Sequence, residues 1–241
     1  MNFSEKRRAL ITGASSGIGK ATAIAFANHG FDLALVSRSQ SKLAAVAEQA
    51  KAKGVEARPY VVDLAEIDQV KPQLKSLLAD FGPVDVLINN AGMGYTRSLA
   101  ETSLADWQQV IDLNLTSAFQ CVQAVLPGMR DRQRGLIINV ASVAADQAFP
   151  DWGAYSVSKA GIVALSKVLA VEERAHGIRV ATISPGAVNT EIWDTETVNA
   201  DFNRDAMLSP ETVADAILQT ALLPESAVID KLTLMPSGGA L

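Results

Sequence analysis

Short runs of apolar and β-branched residues at 8–12, 32–37, 57–62, 84–89, 136–140, 179–184 and 228–234 punctuate the chain. Between them lie longer stretches, 17–29, 40–53, 69–81, 113–129, 155–175 and 210–222, whose apolar positions recur every three or four residues. The short runs show little polar alternation, which marks strands covered on both faces, and the longer ones predict amphipathic helices. Their regular alternation predicts βαβ units with right-handed crossovers, and hence a parallel sheet flanked by helices. Stop signals fall where this needs them: Gly30 and Gly54 follow helices, and Pro210 follows Ser209 at a helix start. No repeat, low-complexity tract or linker interrupts the pattern, so residues 1–241 are expected to form a single α/β domain. One stretch, about 189–208, is weakly patterned and too long for a plain connection. It carries Trp193, Phe202 and Met207 among acidic and amide residues, and is either a flap over a substrate or a surface insertion with a short helix.

Composition narrows the function. With 21 Lys and Arg against 26 Asp and Glu, the net charge is −5, which argues against nucleic-acid binding. The single cysteine, Cys121, excludes an internal disulfide and a cysteine-based zinc site, and fits a reducing, cytoplasmic setting. His29 and His176 stand at predicted helix ends beside glycine with no cysteine partner, so no metal site is expected. The apolar run after the charged N-terminus stops at Thr12 and Gly13, too short for a signal peptide, and no stretch of about 18 apolar residues runs without charge, Gly or Pro. No membrane span is expected.

Directly after the first strand comes Thr12-Gly13-Ala14-Ser15-Ser16-Gly17-Ile18-Gly19, opening into a helix. Glycines there let the backbone turn tightly and approach a pyrophosphate, while the helix N-terminus offers free N–H groups and partial positive charge. At the end of the second strand, where a carboxylate would bond a ribose 2′-hydroxyl, the chain has Ser37 and Arg38 instead. A guanidinium and a hydroxyl suit a 2′-phosphate, which predicts NADP(H) over NAD(H). Asp32 lies at the wrong end of the strand to supply the missing acid.

After the fifth strand stands Ser142, and farther on Tyr155 and Lys159, four apart and so on one helix face. An ammonium beside a phenol favours the phenolate and lowers its pKa, fitting the pair for proton exchange with a carbonyl oxygen or an alcohol. Ser142, at the C-terminal end of a strand, is placed to hydrogen-bond that oxygen.

Together these residues resemble the short-chain dehydrogenase/reductase family, of the NADP-preferring carbonyl reductase type, over essentially the whole chain. The likeness rests on Thr12-Gly13-x3-Gly17-x-Gly19, Asp63, Asn89-Asn90-Ala91-Gly92, Asn114, Ser142, Tyr155-x3-Lys159 and Pro185-Gly186 with Thr190. It implies a single Rossmann-like, doubly wound dinucleotide-binding and catalytic domain with a seven-stranded parallel sheet flanked by helices. In that family pattern Tyr155 is the proton donor, Ser142 orients the carbonyl, Lys159 modulates Tyr155 and holds ribose hydroxyls, and Asn114 anchors a water that relays protons through Lys159. Gly13, Ser15, Gly17, Ile18 and Gly19 would line the diphosphate and adjoining ribose, Asp63 and Leu64 the adenine amine, and Asn90, Ala91 and Gly92 the adenosine side. Ser37 and Arg38 would recognise the 2′-phosphate, although no basic residue precedes Gly17 as in some relatives. Pro185, Gly186, Val188 and Thr190 would hold the nicotinamide carboxamide. Read alone, Asp63 caps the segment after its strand, Asn89 braces neighbouring loops and Thr190 caps a helix.

The activity implied is NADPH-dependent reduction, reversible, of a carbonyl compound to an alcohol. By position in the family fold, Met93, Gly94, 143–149, Trp152 and Trp193 would meet the substrate. They are mostly apolar, with Arg97 as the one basic neighbour, which favours a neutral hydrophobic ketone or aldehyde. A 3-oxoacyl thioester of a carrier protein or coenzyme A is the alternative; the acidic net charge counts weakly against an acidic carrier. A non-catalytic NADPH-binding sensor or scaffold is the third reading. The resemblance also implies a homotetramer or homodimer formed through helices 113–129 and 155–175, with the C-terminus near a subunit boundary.

Overall fold

Seven strands form one sheet because their side chains alternate cleanly between two apolar covers. In β1 (Arg8–Thr12), Ala9 and Ile11 enter one core and Leu10 the other; in β2 (Asp32–Ser37), Leu33 and Leu35 oppose Ala34 and Val36. The same division holds in β4 (Val86–Asn89) and β5 (Gly135–Val140). β6 (Ile178–Pro185) is nearly all buried, whereas β3 (Ala57–Val61) and β7 (Lys231–Leu234) are half exposed, as befits edges. The order is β3-β2-β1-β4-β5-β6-β7, every pairing parallel, so the sequence reading of a doubly wound fold holds. The computed structural model describes residues 6–200 and 203–239. Phe202 and the first five residues therefore lie outside the described part.

Helices α1 (Gly17–Asn28), α2 (Gln40–Lys51) and α7 (Pro210–Leu222) cover one face with Phe26, Leu43, Val46 and Ile217. On the other lie α3 (Ile67–Phe81), α5 (Ser117–Asp131) and α6 (Gly153–Glu172), with Leu74, Phe81, Val122, Val125 and Leu169. Cys121 is buried in that second core, as its apolar setting predicts, and burial raises its thiol to about 12, so it is inert. By length and composition alone α6 could cross a membrane, with a mean hydropathy of 1.3 over an 18-residue window, although Lys159, Gly161 and Lys167 interrupt its apolar run. Here it packs on β5 and β6 and carries Lys159 into the interior.

Two elements escaped the sequence pattern. α4 (Leu104–Ile111) is a short helix whose start is fixed by Ser103, which accepts a hydrogen bond from the Asp106 N–H at 3.1 Å. The helix predicted at 113–129 begins instead as a π-turn, Asp112–Thr116, before α5 takes over. The extra residue in that turn rotates Asn114 inward, where it is 2% exposed. Such π insertions frequently mark functional sites. The segment 189–208 carries two short 3₁₀ turns, Glu191–Asp194 and Arg204–Ala206.

Candidate active site

The winding of the sheet reverses between β1 and β4, and there the strand ends open into a cleft of about 510 Å³. Residues that follow β1, β2, β3, β4, β5 and β6 all line it, including every cofactor-site residue named from the sequence except Gly19. Gly19 sits beneath the turn: a Cβ on it would lie 2.2 Å from the Gly13 carbonyl oxygen. Gly13 and Gly17 have φ of +65° and +49°, left-handed values that suit glycine, and a Cβ on Gly13 would meet Ala91 at 2.9 Å. So Gly13 and Gly19 let the turn close on its neighbours. Ser16, ahead of α1, makes no side-chain cap, and no carboxylate occupies the first turn. The α1 N-terminus, with its N–H groups and partial positive charge, thus faces the cleft as an anion site.

Ser37 donates to Ser15 at 2.8 Å and accepts from the Ser39 N–H at 3.1 Å, which ties the glycine turn to the end of β2. Arg38 is exposed beside them. Lys42, missed in the sequence reading, lines the same end of the cleft. Its signal was its place in the first turn of the helix that follows Arg38. Among the described residues neither cation has an acidic partner, so both are available to a phosphate. Asp63 follows its simpler reading in part: one carboxylate oxygen accepts the Ala65 N–H at 3.0 Å, while Asp63 and buried Leu64 also line the cleft.

Asn90 lines the cleft and also has a structural role. Its side-chain amide donates to the carbonyls of Thr12 at 3.0 Å and Gly13 at 3.4 Å, so it braces the glycine turn. Thr12 completes that brace and was not singled out as a site residue: its hydroxyl accepts the N–H groups of Asn90 and Ala91, both at 3.0 Å, and reaches the Ile88 carbonyl. Asn89 has the structural role read from the sequence, donating to Asn139 at 2.8 Å inside the sheet. Thr190 lines the cleft against Gly17 and does not cap the 3₁₀ turn that follows it. Pro185, Gly186 and Val188 form the cleft floor; the Gly186 N–H is already donated to the Leu234 carbonyl at 2.7 Å.

α6 brings Tyr155 and Lys159 to the cleft on one face, opposite Ser142 at the end of β5. The Ser142 hydroxyl accepts the Ala144 N–H at 3.2 Å, which fixes the oxygen and leaves its hydrogen to donate. Burial raises the pKa of Tyr155, and a hydrogen bond with Ser142 works the other way. With its pKa raised from an ordinary value near 10, the phenol is neutral at physiological pH. Burial also lowers Lys159, to about 8, its Nζ donating to the Val140 carbonyl at 3.0 Å and lying 5.7 Å from the Tyr155 ring centre.

Asn114 spends both amide hydrogens inside the protein, on the Met93 carbonyl and on Ser158, each at 3.0 Å, and its oxygen accepts the Met93 N–H at 2.8 Å. Ser158, buried and absent from the sequence reading, donates in turn to the Tyr155 carbonyl at 2.6 Å. Asn114 thus ties the loop after β4 to the helix that carries Tyr155. A Cβ on Gly92 would lie 3.1 Å from the Asn114 amide oxygen and 3.4 Å from Lys159 Nζ, so the missing side chain leaves a slot beside Lys159. A cleft with an anion site at one end, two unpaired cations beside it and a slot next to a buried ammonium fits a phosphorylated dinucleotide.

Comparison with known proteins agrees with this geometry. A 3-oxoacyl-(acyl-carrier-protein) reductase of Synechocystis is 40% identical over 238 residues, covering 96% of this chain and 95% of that protein. An alcohol dehydrogenase of the archaeon Thermococcus sibiricus, solved with 5-hydroxy-NADP, superposes with a TM-score of 0.88 at 31% identity over 97% of both chains. A metagenomic short-chain oxidoreductase solved with NADP gives a TM-score of 0.83 at 31% identity, over 96% of this chain and 97% of that one. The short chain dehydrogenase family model matches residues 7–201, and the chain belongs to that family.

Proposed function

We propose that this chain is an NADPH-dependent reductase of 3-oxoacyl thioesters. What carries the proposal is the full-length likeness to a reductase of that name, set on a cleft where a neutral tyrosine, a serine donor and a buried lysine converge. The neutral ketone or aldehyde that the sequence placed first becomes the second reading, supported by the aromatic wall of Phe149, Trp152 and Trp193. The apolar lining that had placed the ketone first also suits the acyl chain of a thioester, and the weaker charge argument fails because a net charge of −5 says nothing of local patches.

Arg38, Lys42 and Ser37 would take the 2′-phosphate, the α1 N-terminus the diphosphate, and Lys159 the ribose hydroxyls beside Gly92. The hydride for the carbonyl carbon is the chemistry that bound NADPH supplies. Ser142 donates to the carbonyl oxygen and holds it as negative charge builds, and Tyr155 passes its proton to that oxygen. Lys159 then returns a proton to the phenolate. Asn114 and Ser158 hold α6 and the loop after β4 at the spacing this transfer needs. The exposed apolar face of α5 and α6, with Phe119, Val157, Val168 and Val171, supports assembly as a homodimer or homotetramer.

Initial rates of NADPH oxidation with 3-oxoacyl thioesters, hydrophobic ketones and aldehydes test the reading. Turnover of the thioesters in preference to the free ketones is expected. Preference for the ketones moves the function to the second reading, and NADPH binding without turnover of any carbonyl moves it to the sensor.

Replacing Arg38 by Asp removes a charge-assisted partner and places a carboxylate by the phosphate. NADPH affinity is expected to fall at least about 10-fold to 100-fold, one such bond being worth roughly 1.5–3 kcal/mol before repulsion. NADH affinity should scarcely change. Fluorescence titration with both cofactors decides it; equal losses would remove Arg38 from the phosphate site.

A further inference from the structure

We infer that Arg204 is a positioning residue that latches Trp193 into the substrate wall and thereby sets how well long acyl groups bind. This rests on the thioester reading for its substrate and on the structure alone for the latch.

The aromatic rings form a row leading away from the proton donor. Trp152 stands edge-on to Tyr155 at 5.2 Å between ring centres, and Trp193 edge-on to Trp152 at 5.7 Å. An acyl chain whose carbonyl sits at Tyr155 and which follows the row meets Trp152 first and Trp193 only when it is long. Trp152 is fixed by its place at the start of α6. Trp193 is placed differently. It lies in a single 3₁₀ turn, Glu191–Asp194, whose preceding residue, Thr190, offers no side-chain cap.

Arg204 braces that turn. Its Nε donates to the Asn189 side-chain oxygen at 2.8 Å, one terminal nitrogen to the Thr190 carbonyl at 2.9 Å and the other to Asp194 at 3.0 Å. One planar fork thus grips both ends of the turn that bears Trp193. The Trp193 indole N–H adds a tether to the Val188 carbonyl at 2.7 Å. Lys in place of Arg keeps the charge and the reach to Asp194 but cannot present three donors in a fixed plane. The exposed pair with Asp194 is worth little by itself, so the latch depends on the fork and not on the charge.

The test uses the full chain as wild type, Arg204→Lys, Arg204→Met, Trp193→Phe and the double variant Trp193→Phe with Arg204→Met. Acrylamide quenching of tryptophan fluorescence, which needs neither cofactor nor substrate, should rise in both Arg204 variants. In the Trp193→Phe background, Arg204→Met should add nothing. In turnover of a 3-oxoacyl thioester series, KM for the longest chains should rise about tenfold, the scale of a lost apolar pocket contact. The shortest member and kcat should hardly move. Wild-type quenching in Arg204→Met, normal KM in Arg204→Lys, or an equal KM rise at every chain length would each overturn the latch. Should Arg204→Met fail to fold, Asn189→Ala with Asp194→Asn strips two acceptors from the fork and must give the same pattern. If no thioester is reduced by the wild type, the proposed function fails while the quenching comparison still decides the latch.

Discussion

Replacing Tyr155 by Phe is expected to lower kcat by about 10² to 10⁴, the usual contribution of a positioned general acid. The argument turns on what the substitution leaves in place. Phe keeps the ring that stands 5.2 Å from Trp152, so the wall of the cleft and the fold of α6 should survive. Only the hydroxyl leaves. That hydroxyl belongs to a phenol whose pKa burial has raised, so in the wild type it is fully protonated at neutral pH and ready to donate. The reverse reaction needs the phenolate, and alcohol oxidation should accordingly quicken as pH rises. Cofactor affinity, measured by fluorescence titration, should stay near the wild-type value, because the phosphate and ribose contacts come from other residues. Near-normal turnover in the variant would remove Tyr155 from the chemistry; loss of turnover together with loss of cofactor binding would point to damage of the cleft.

Lys159 leads to a second large effect with two opposite signs. Its side chain is 5% exposed, has one carbonyl partner and titrates near 8 in the fold against 10.5 in water. Between those two values the unfolded chain holds a proton that the folded chain has released, so stability rises with pH across that window. At neutral pH the fold carries the whole penalty, roughly 3 kcal/mol from the conversion of pKa to free energy. Lys159→Met removes the charge, fills most of the same channel and strands the Val140 carbonyl, which costs about 1–3 kcal/mol. At the lower end of that cost, about 2 kcal/mol of net stabilisation remains, a rise in Tm of roughly 4–8 °C for a chain of this size. Turnover should meanwhile fall at least about 10²-fold, since nothing then returns a proton to Tyr155. Scanning calorimetry at pH 7 and at pH 10 checks both parts: the gain in Tm should shrink at the higher pH. A variant less stable than wild type at pH 7 would show that the buried ammonium supports the fold instead of straining it.

Much of this site was legible in the chain because its parts are local. A strand followed by three glycines and a helix start, or Tyr155 and Lys159 one turn apart, declares itself within a few residues. The strands were legible for the same reason, since β1, β2, β4 and β5 are continuous apolar runs that only a covered sheet accommodates. What stayed hidden was held together across long separations. The Thr12 hydroxyl meets its two amides 78 and 79 positions away, and Asn114 meets Ser158 after 44. No periodicity encodes such pairs. The π-turn was hidden differently: one extra residue in a helix shifts the facing of Asn114 without altering the apolar pattern around it. The burial of Tyr155 was hidden as well, because its cost to the phenolate exists only in the folded cleft.

The Thr12 hydroxyl also divides the labour of the molecule. It sits where the winding reverses, receiving the first two amides after β4 on behalf of the turn after β1. On one side lie β1 to β3, with the groups suited to the adenosine end; on the other lie β4 to β7, with Ser142, Tyr155, Lys159 and the wall that selects the substrate. Together with the Asn90 amide on the Thr12 and Gly13 carbonyls and the β1–β4 pairing, the hydroxyl registers the two halves against each other at the seam. Neither Trp152 nor Trp193 takes part in these seam bonds, so under the proposed function the wall can change residue by residue without moving the glycine turn against the end of β4. Diversity of substrate and constancy of chemistry have separate addresses in this chain.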